Sequence, residues 1–249
     1  IWKGLVGSEM CIRDRNYADA NQLLESIKGY QIKYASDIIP SDEKIHAEIM
    51  YNKYDIFRNL FMYYFLAGLL FFIFIILNIF SENKSIHNFM KYIFIIFRSS
   101  IVLLFIAHTL GLIARWYISG HAPWGDAYES MIYVAWATMG IGLLFIKKSD
   151  LTLASTSFVT SMILMIAHWN WMDPSIANLV PVLNSYWLMI HVSVIVGSYG
   201  PFALSMILGF VSLLLIVFIT RTNKEKIKNQ LSELNMINEL SVTVGLIML

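Results

Sequence analysis

Histidine and tryptophan carry most of the chemistry open to this 249-residue chain, which has six of the first and seven of the second. A neutral imidazole is the commonest metal ligand among side chains and a usual axial ligand to haem iron. Sorted along the apolar runs described below, His108, His121, His168 and His191 fall toward one common side. His87 lies on the other side, and His46 sits in a polar N-terminal stretch. Each histidine taken singly is explained by a wet interface. Tryptophan adds weight: Trp116, Trp124, Trp169, Trp171 and Trp187 cluster on that same side, Trp136 lies inside a run, and none marks the opposite boundary. Aromatic belts enrich both interfaces of a membrane, so a belt accounts for only part of this. The asymmetry suggests an aromatic surface for a large flat ligand or for a partner.

The elements that position these residues follow from composition. Hydrophobic residues make up 57% of the chain and charged residues 14%, against about 25% charged in a soluble domain, and mean hydropathy is +0.62. Of the 35 Lys, Arg, Asp and Glu, 17 fall in residues 1–59. A polar N-terminal segment therefore precedes a membrane-embedded body. Stretches near 60–80, 92–118, 128–146, 151–169 and 186–220 are apolar and long enough to span, and a sixth begins near Ser241. Lipid offers no partner to an unpaired backbone group, so spans of this length are helices. The fold class expected is all-α: a polytopic transmembrane helix bundle with five complete spans and the start of a sixth. A net charge of +1 gives no basis for nucleic-acid binding, which needs clustered Lys and Arg.

Orientation follows from short-loop charge. Lys84, Lys91, Arg98, Lys147, Lys148, Arg221, Lys224, Lys226 and Lys228 lie on one side and Arg115 alone on the other. The first set is therefore cytoplasmic by the positive-inside rule, although Lys53 and Arg58 outside the first span count against it. The loops at 119–127 and 170–185 then face outward, with the N-terminal segment. Three regions are expected. Residues 1–15 resemble translated cloning-adapter sequence, so that Cys11, the one cysteine, would not be native. Residues 16–59 form an extracytoplasmic pair of polar helices parted near Pro40, with Ser41 as an N-cap, the second running into the first span. Residues 60–249 form the membrane domain, truncated at its C-terminus. With one cysteine, any thiol chemistry needs a partner's thiols.

The last long run, 186–220, would make about 52 Å of helix at the usual rise, against about 30 Å of hydrocarbon. A kink is expected at Pro201, which lacks an N–H and crowds the carbonyl of Gly197. The preceding turns project outward and put His191 roughly 15 Å beyond the hydrocarbon edge. That piece is still apolar and needs a cover, either a protein neighbour or a porphyrin plane held through His191. In the loop SGHAPWGDAYES, Asp126 and Glu129 have the spacing of a capping box. Arg98 and Arg115 sit near span ends, where they can snorkel.

Two motifs, GHAPWGDAYESMIYVAW from Gly120 to Trp136 and VPVLNSYWLMIHVSVIVGSYG from Val180 to Gly200, resemble the CcsA/ResC-like haem-handling proteins of system II cytochrome c biogenesis. The polar segment running into the first span is similar to the junction of the fused CcsB-CcsA form. The resemblance implies a multi-pass protein of the bacterial cytoplasmic membrane that carries haem to the outer side and presents it for thioether attachment to apocytochrome c. The haem is b-type, non-covalent and in transit, and the thiols belong to the partner's C-x-x-C-H motif. A CcsB/ResB-like partner or fused domain is implied as well. His191 stands where the family has an external axial ligand, with Trp187, Asn184 and Pro181 matching around it. His121 and Trp124 are the further cofactor-binding candidates, and no catalytic acid or base is evident. The family's tryptophan-rich loop and second external histidine would fall beyond Leu249, leaving one axial ligand of a pair within this stretch. A haem-free transporter, a b-type cytochrome-like electron-transfer subunit and a scaffolding subunit are the competing readings.

Overall fold

A computed structural model of the chain describes residues 9–36, 39–80, 84–169, 172–176, 185–219 and 224–249, without the side chains of 35, 80 and 84–89. Trp171, Pro181, Asn184 and Arg221 lie outside the described residues, as do the side chains of Lys84 and His87. The helices are α1 (Tyr17–Ala35), α2 (Asp42–Tyr54), α3 (Ile56–Phe80), α4 (Lys84–Ser119), α5 (Ala127–Leu144), α6 (Asp150–His168), α7 (Tyr186–Val217) and α8 (Lys224–Met248). No strand occurs among the described residues, as the all-α reading requires. The chain divides into two compact units, 1–48 and 49–249.

In the first unit α1 starts at Asn16, whose side chain accepts from the Asp19 N–H at 3.4 Å. The first turn of α2 is capped as expected, the Ser41 hydroxyl accepting from Lys44 N–H at 3.4 Å.

Among the described residues, four stretches are long and apolar enough to cross a membrane: Asp42–Ile79, Met90–Ser119, Asp150–His168 and Tyr186–Val217. The expected span at 128–146 is a helix, α5, but is not one of the four. It has 18 residues and carries Glu129 in its first turn. The polar helix does not run unbroken into the first span either: Asp55, at φ 41°, parts α2 from α3. A left-handed backbone is uncommon outside glycine, and aspartate is among the residues that tolerate it. The sixth element begins at Lys224 rather than Ser241, so most of the stretch read as a polar loop is helix. Its stripe of buried residues, Ile227, Leu234, Ile237, Ser241 and Gly245, recurs at helical spacing and packs along α7. Through Pro201, α7 remains one helix of 32 residues, about 48 Å long.

The centre of this unit is α6, which contacts α3, α5 and α7. Its buried surface is largely hydroxylic: Thr152, Ser155, Thr156, Ser157, Thr160 and Ser161 are all at most 2% exposed. The small side chains let backbones approach, and all of these hydroxyls except that of Thr152 find partners inside the protein. Ser155 and Thr156 donate to the carbonyls of Leu151 and Thr152 at 2.7 Å, and Ser157 crosses to the Tyr64 carbonyl on α3 at 3.0 Å. Gly68 of α3 stands so close to α6 that a Cβ there would meet the Phe158 nitrogen at 2.8 Å. Gly209 of α7 has nothing within 4 Å of such a Cβ.

These two glycines give a paired prediction. Gly68→Ala forces α3 and α6 apart and should cost about 1–3 kcal/mol, the usual range for overpacking. Gly209→Ala should leave stability unchanged or slightly raised. Thermal unfolding of the two variants in the same detergent checks this, and equal midpoints would contradict it.

Candidate functional site at the loop end of the bundle

The loop between α4 and α5 is built by its own hydrogen bonds. Gly120 takes φ 75° and returns its N–H to the Trp116 carbonyl at 2.9 Å, a glycine stop for α4. Ser119 Oγ donates to the His121 carbonyl at 2.9 Å and accepts from its N–H at 3.3 Å. The His121 ring turns Nδ1 toward the Ala122 carbonyl at 3.2 Å; a carbonyl only accepts, so Nδ1 carries the hydrogen of this contact. Trp124 leaves the loop and anchors it to α7, its Nε1 donating to the Met189 carbonyl at 3.3 Å.

A groove of about 490 Å³ opens between this loop and α7, lined by Trp116, Gly120, His121, Ala122, Trp124, Tyr186, Met189, Ile190 and Ser193. Below it the aromatic rings continue in contact. Trp124 lies 6.1 Å from Trp116 and 5.1 Å from Tyr133 between centroids. Tyr133 stacks on Trp136 at 5.8 Å, and Trp136 on Phe105 at 5.7 Å. The Trp136 N–H is satisfied by Thr109 Oγ1 at 2.9 Å.

His191 and Trp187 lie elsewhere on α7. Four residues apart, they share one helix face. That face is not a wall of the groove, which takes Tyr186, Met189, Ile190 and Ser193 from α7. Trp187 is 77% exposed and the His191 side chain is exposed, with no hydrogen bond or ion pair among the described residues. The four sequence-predicted site residues therefore divide two and two. His121 and Trp124 look into the groove, and Trp187 and His191 stand on an open face near the start of the same helix. His108 is fully buried, its Nε2 3.1 Å from the Ile132 carbonyl and its ring 5.4 Å from Phe57.

Beside the groove lies a charged cluster that sequence reasoning missed. Arg115, expected to snorkel, is 0% exposed. Its Nε donates to Glu129 Oε1 at 2.8 Å, Nη1 to the Pro174 carbonyl at 2.9 Å and Nη2 to the Ser175 carbonyl at 3.1 Å. Asp126 Oδ2 lies 3.7 Å away, and the guanidinium carbon sits 5.0 Å from the centroid of the Tyr128 ring. Glu129 in turn accepts from Gly125 N–H at 2.8 Å, while Asp126 accepts from Glu129 N–H at 2.6 Å. The capping-box spacing thus does cap α5, and its glutamate also meets a buried cation. Burial raises the Asp126 carboxyl above the ordinary carboxylate value, against the Glu129 N–H bond that lowers it. On the adjacent loop the Ser175 N–H holds Asp173 below that value. A neighbouring cavity of about 340 Å³ is lined by Tyr51, Asp55, Tyr128 and His168 among others. There His168 turns Nε2 toward Asp55 Oδ1 and Nδ1 toward the Leu164 carbonyl, each at 3.3 Å.

Comparison with known proteins places the chain in a family. The family described as Cytochrome C assembly protein matches residues 124–249, just over half of the chain and a stretch that includes Trp124, Trp187 and His191. Protein NrfI of Wolinella succinogenes is 38% identical over 237 residues, covering 95% of this chain and 26% of that protein. The cytochrome c biogenesis protein CcsA of a Prochlorococcus marinus strain is 31% identical over 156 residues, 57% of this chain and 46% of that protein. CcsA of Guizotia abyssinica is 39% identical over 117 residues, 43% of this chain and 34% of that protein. The chain belongs to the cytochrome c assembly family. It spans about a quarter of the NrfI relative and under half of these two CcsA relatives.

Glu129→Gln leaves the Arg115 charge buried without its closest carboxylate. Removing one partner of a buried pair costs about 3–5 kcal/mol, and Asp126 at 3.7 Å should hold the loss to the lower end of that range. Arg58→Gln, which breaks an exposed 4.0 Å contact with Asp55, should change little. Comparing the two by thermal unfolding decides whether the buried pair matters as the geometry says.

Proposed function

We propose that this chain is the haem-presenting part of a cytochrome c assembly protein. It brings haem to the extracytoplasmic side of a bacterial cytoplasmic membrane and holds it there for attachment to apocytochrome c. Haem is the cargo. Each cysteine thiol of the apocytochrome's C-x-x-C-H motif adds across one vinyl group, forming a carbon–sulfur bond while the thiol hydrogen goes to the other vinyl carbon. No net oxidation occurs in this addition, and both thiols come from the partner.

The observation that carries the reading is the pairing of Trp187 and His191 on one exposed face of a helix too long for the bilayer. An imidazole with no hydrogen bond among the described residues can ligate iron, and the indole one turn earlier supplies a flat apolar neighbour for a macrocycle. Around them Tyr186 is 75% exposed and Val194 41%, apolar surface that a porphyrin plane would cover. The His121 and Trp124 groove abuts another face of the same helix. The positive-inside bias supports an extracytoplasmic site, and a CcsB/ResB-like partner or fused domain completes the assembly.

Two alternatives have an observation each. Buried charges are usual in transporters, and Arg115 with Glu129 is such a pair, yet the two are tied to each other, the arginine also donates to loop carbonyls, and the glutamate accepts from the Gly125 N–H. A b-type cytochrome needs facing histidines inside the bundle. His108 is buried with Nε2 toward the Ile132 carbonyl and Nδ1 without a partner, but the aromatic rings of Phe57 and Tyr64 are packed against it and no second histidine faces it among the described contacts.

In the intact protein, His191→Ala should lower c-type cytochrome maturation at least about tenfold, the scale of a disrupted metal-site partner. Added imidazole should restore part of it. Haem staining of a co-expressed reporter cytochrome measures both, and normal maturation in the variant would sink the proposal.

A further inference from the structure

We propose that Arg115 is the positioning residue of this site: one buried guanidinium fixes together the two loops that carry and precede the residues named above. The inference rests on the haem-presenting reading for its purpose, but not for its geometry.

Arg115 lies near the end of α4, about one turn before Ser119, and its donors reach in two directions. Toward α5, Nε binds Glu129 at 2.8 Å, and Glu129 Oε2 binds the N–H of Gly125 at 2.8 Å, the residue after Trp124. Through one carboxylate the guanidinium therefore holds the end of the loop that presents His121 and Trp124. Toward α7, Nη1 and Nη2 take the carbonyls of Pro174 and Ser175 at 2.9 and 3.1 Å, in the connection that leaves α6 and precedes the helix of Trp187 and His191. Arg115 is the cation within hydrogen-bond reach of both loops among the described residues. Its burial makes each bond count, because a guanidinium at 0% exposure has no water to replace a lost acceptor. A planar fork is needed to serve a carboxylate and two carbonyls at once. Lysine carries the same charge on a single point and cannot reproduce it.

Folding and positioning are separable here. Arg115→Gln combined with Glu129→Gln removes both buried charges together, so no unpaired ion is left to unfold the protein. Neutral replacement of a whole buried pair is often tolerated. The double variant nonetheless loses the fork across the two loops. Arg115→Lys keeps the charge and loses the same geometry.

The test uses the intact membrane protein, purified in detergent and titrated with haem, with three readings on each variant. They are the visible spectrum of bound haem, the thermal midpoint, and hydrogen exchange of the 172–176 backbone. For the double variant the midpoint should stay near the parent's. Exchange at 172–176 should rise and haem affinity should fall, each at least about tenfold, the equivalent of one lost charge-assisted hydrogen bond. Unchanged exchange and unchanged haem affinity overturn the proposal. So does a fall in haem affinity that only follows a fall in the midpoint, because Arg115 would then serve folding alone. Failure of the haem reading shows up separately. If His191→Ala binds haem as the parent does, that reading fails, and exchange at 172–176 still reports whether Arg115 holds the loops.

Discussion

Hydrocarbon supplies no hydrogen-bond partner, so every polar group taken into it must be answered from within the protein. The central helix shows how far this reaches. Its serines and threonines would be weak helix residues at a wet surface. Here Ser155, Thr156, Ser157 and Ser161 return their hydroxyls to backbone carbonyls of their own helix and of α3, Thr160 turns to the Met139 sulfur, and their small size lets helices approach closely. Gly68 extends the same device on the facing side. The packing of α3, α5 and α7 around one hydroxyl-lined rod follows from this, and so does the placement of everything at the end where α4 stops and α5 begins.

At that end the same constraint operates on charge. A guanidinium removed from water needs a carboxylate and further acceptors, and only a loop can bring carbonyls from distant sequence to one point. The loop at 172–176 is consequently drawn onto Arg115, and the start of α5 is fixed by its own cap and by the same cation. The groove between Trp124 and α7 is the space left once these segments are tied. Its order is a product of electrostatics in a dry setting, although its walls are apolar.

Much of this was legible in the sequence. Hydropathy located the four long spans and the α5 helix, because runs of that length admit one backbone solution. The spacing of Asp126 and Glu129 announced a cap that the structure contains. Other features were hidden for physical reasons. Arg115 at the end of an apolar run reads as a snorkelling cation, because the acceptors that bury it lie 14 residues away in Glu129 and 59 and 60 residues away in Pro174 and Ser175. The early start of α8 escaped because Lys224, Glu225, Lys226 and Lys228 mask the sparse stripe of Ile227, Leu234 and Ile237. The division of the four candidate residues between two surfaces also could not be read. Loop length does not fix which face of α7 meets the preceding loop.

The row of rings from Trp116 through Trp124, Tyr133 and Trp136 to Phe105 has an optical consequence. Centroids 5.1 to 6.1 Å apart place these chromophores within easy reach of excitation transfer, so light absorbed by Tyr133 or any of the three indoles is shared along the row. Haem absorbs where tryptophan emits. A porphyrin settling in the groove would therefore darken Trp136 deep in the bundle as well as the indoles it touches. The chain thus contains its own reporter for whatever flat, coloured molecule visits that end of it.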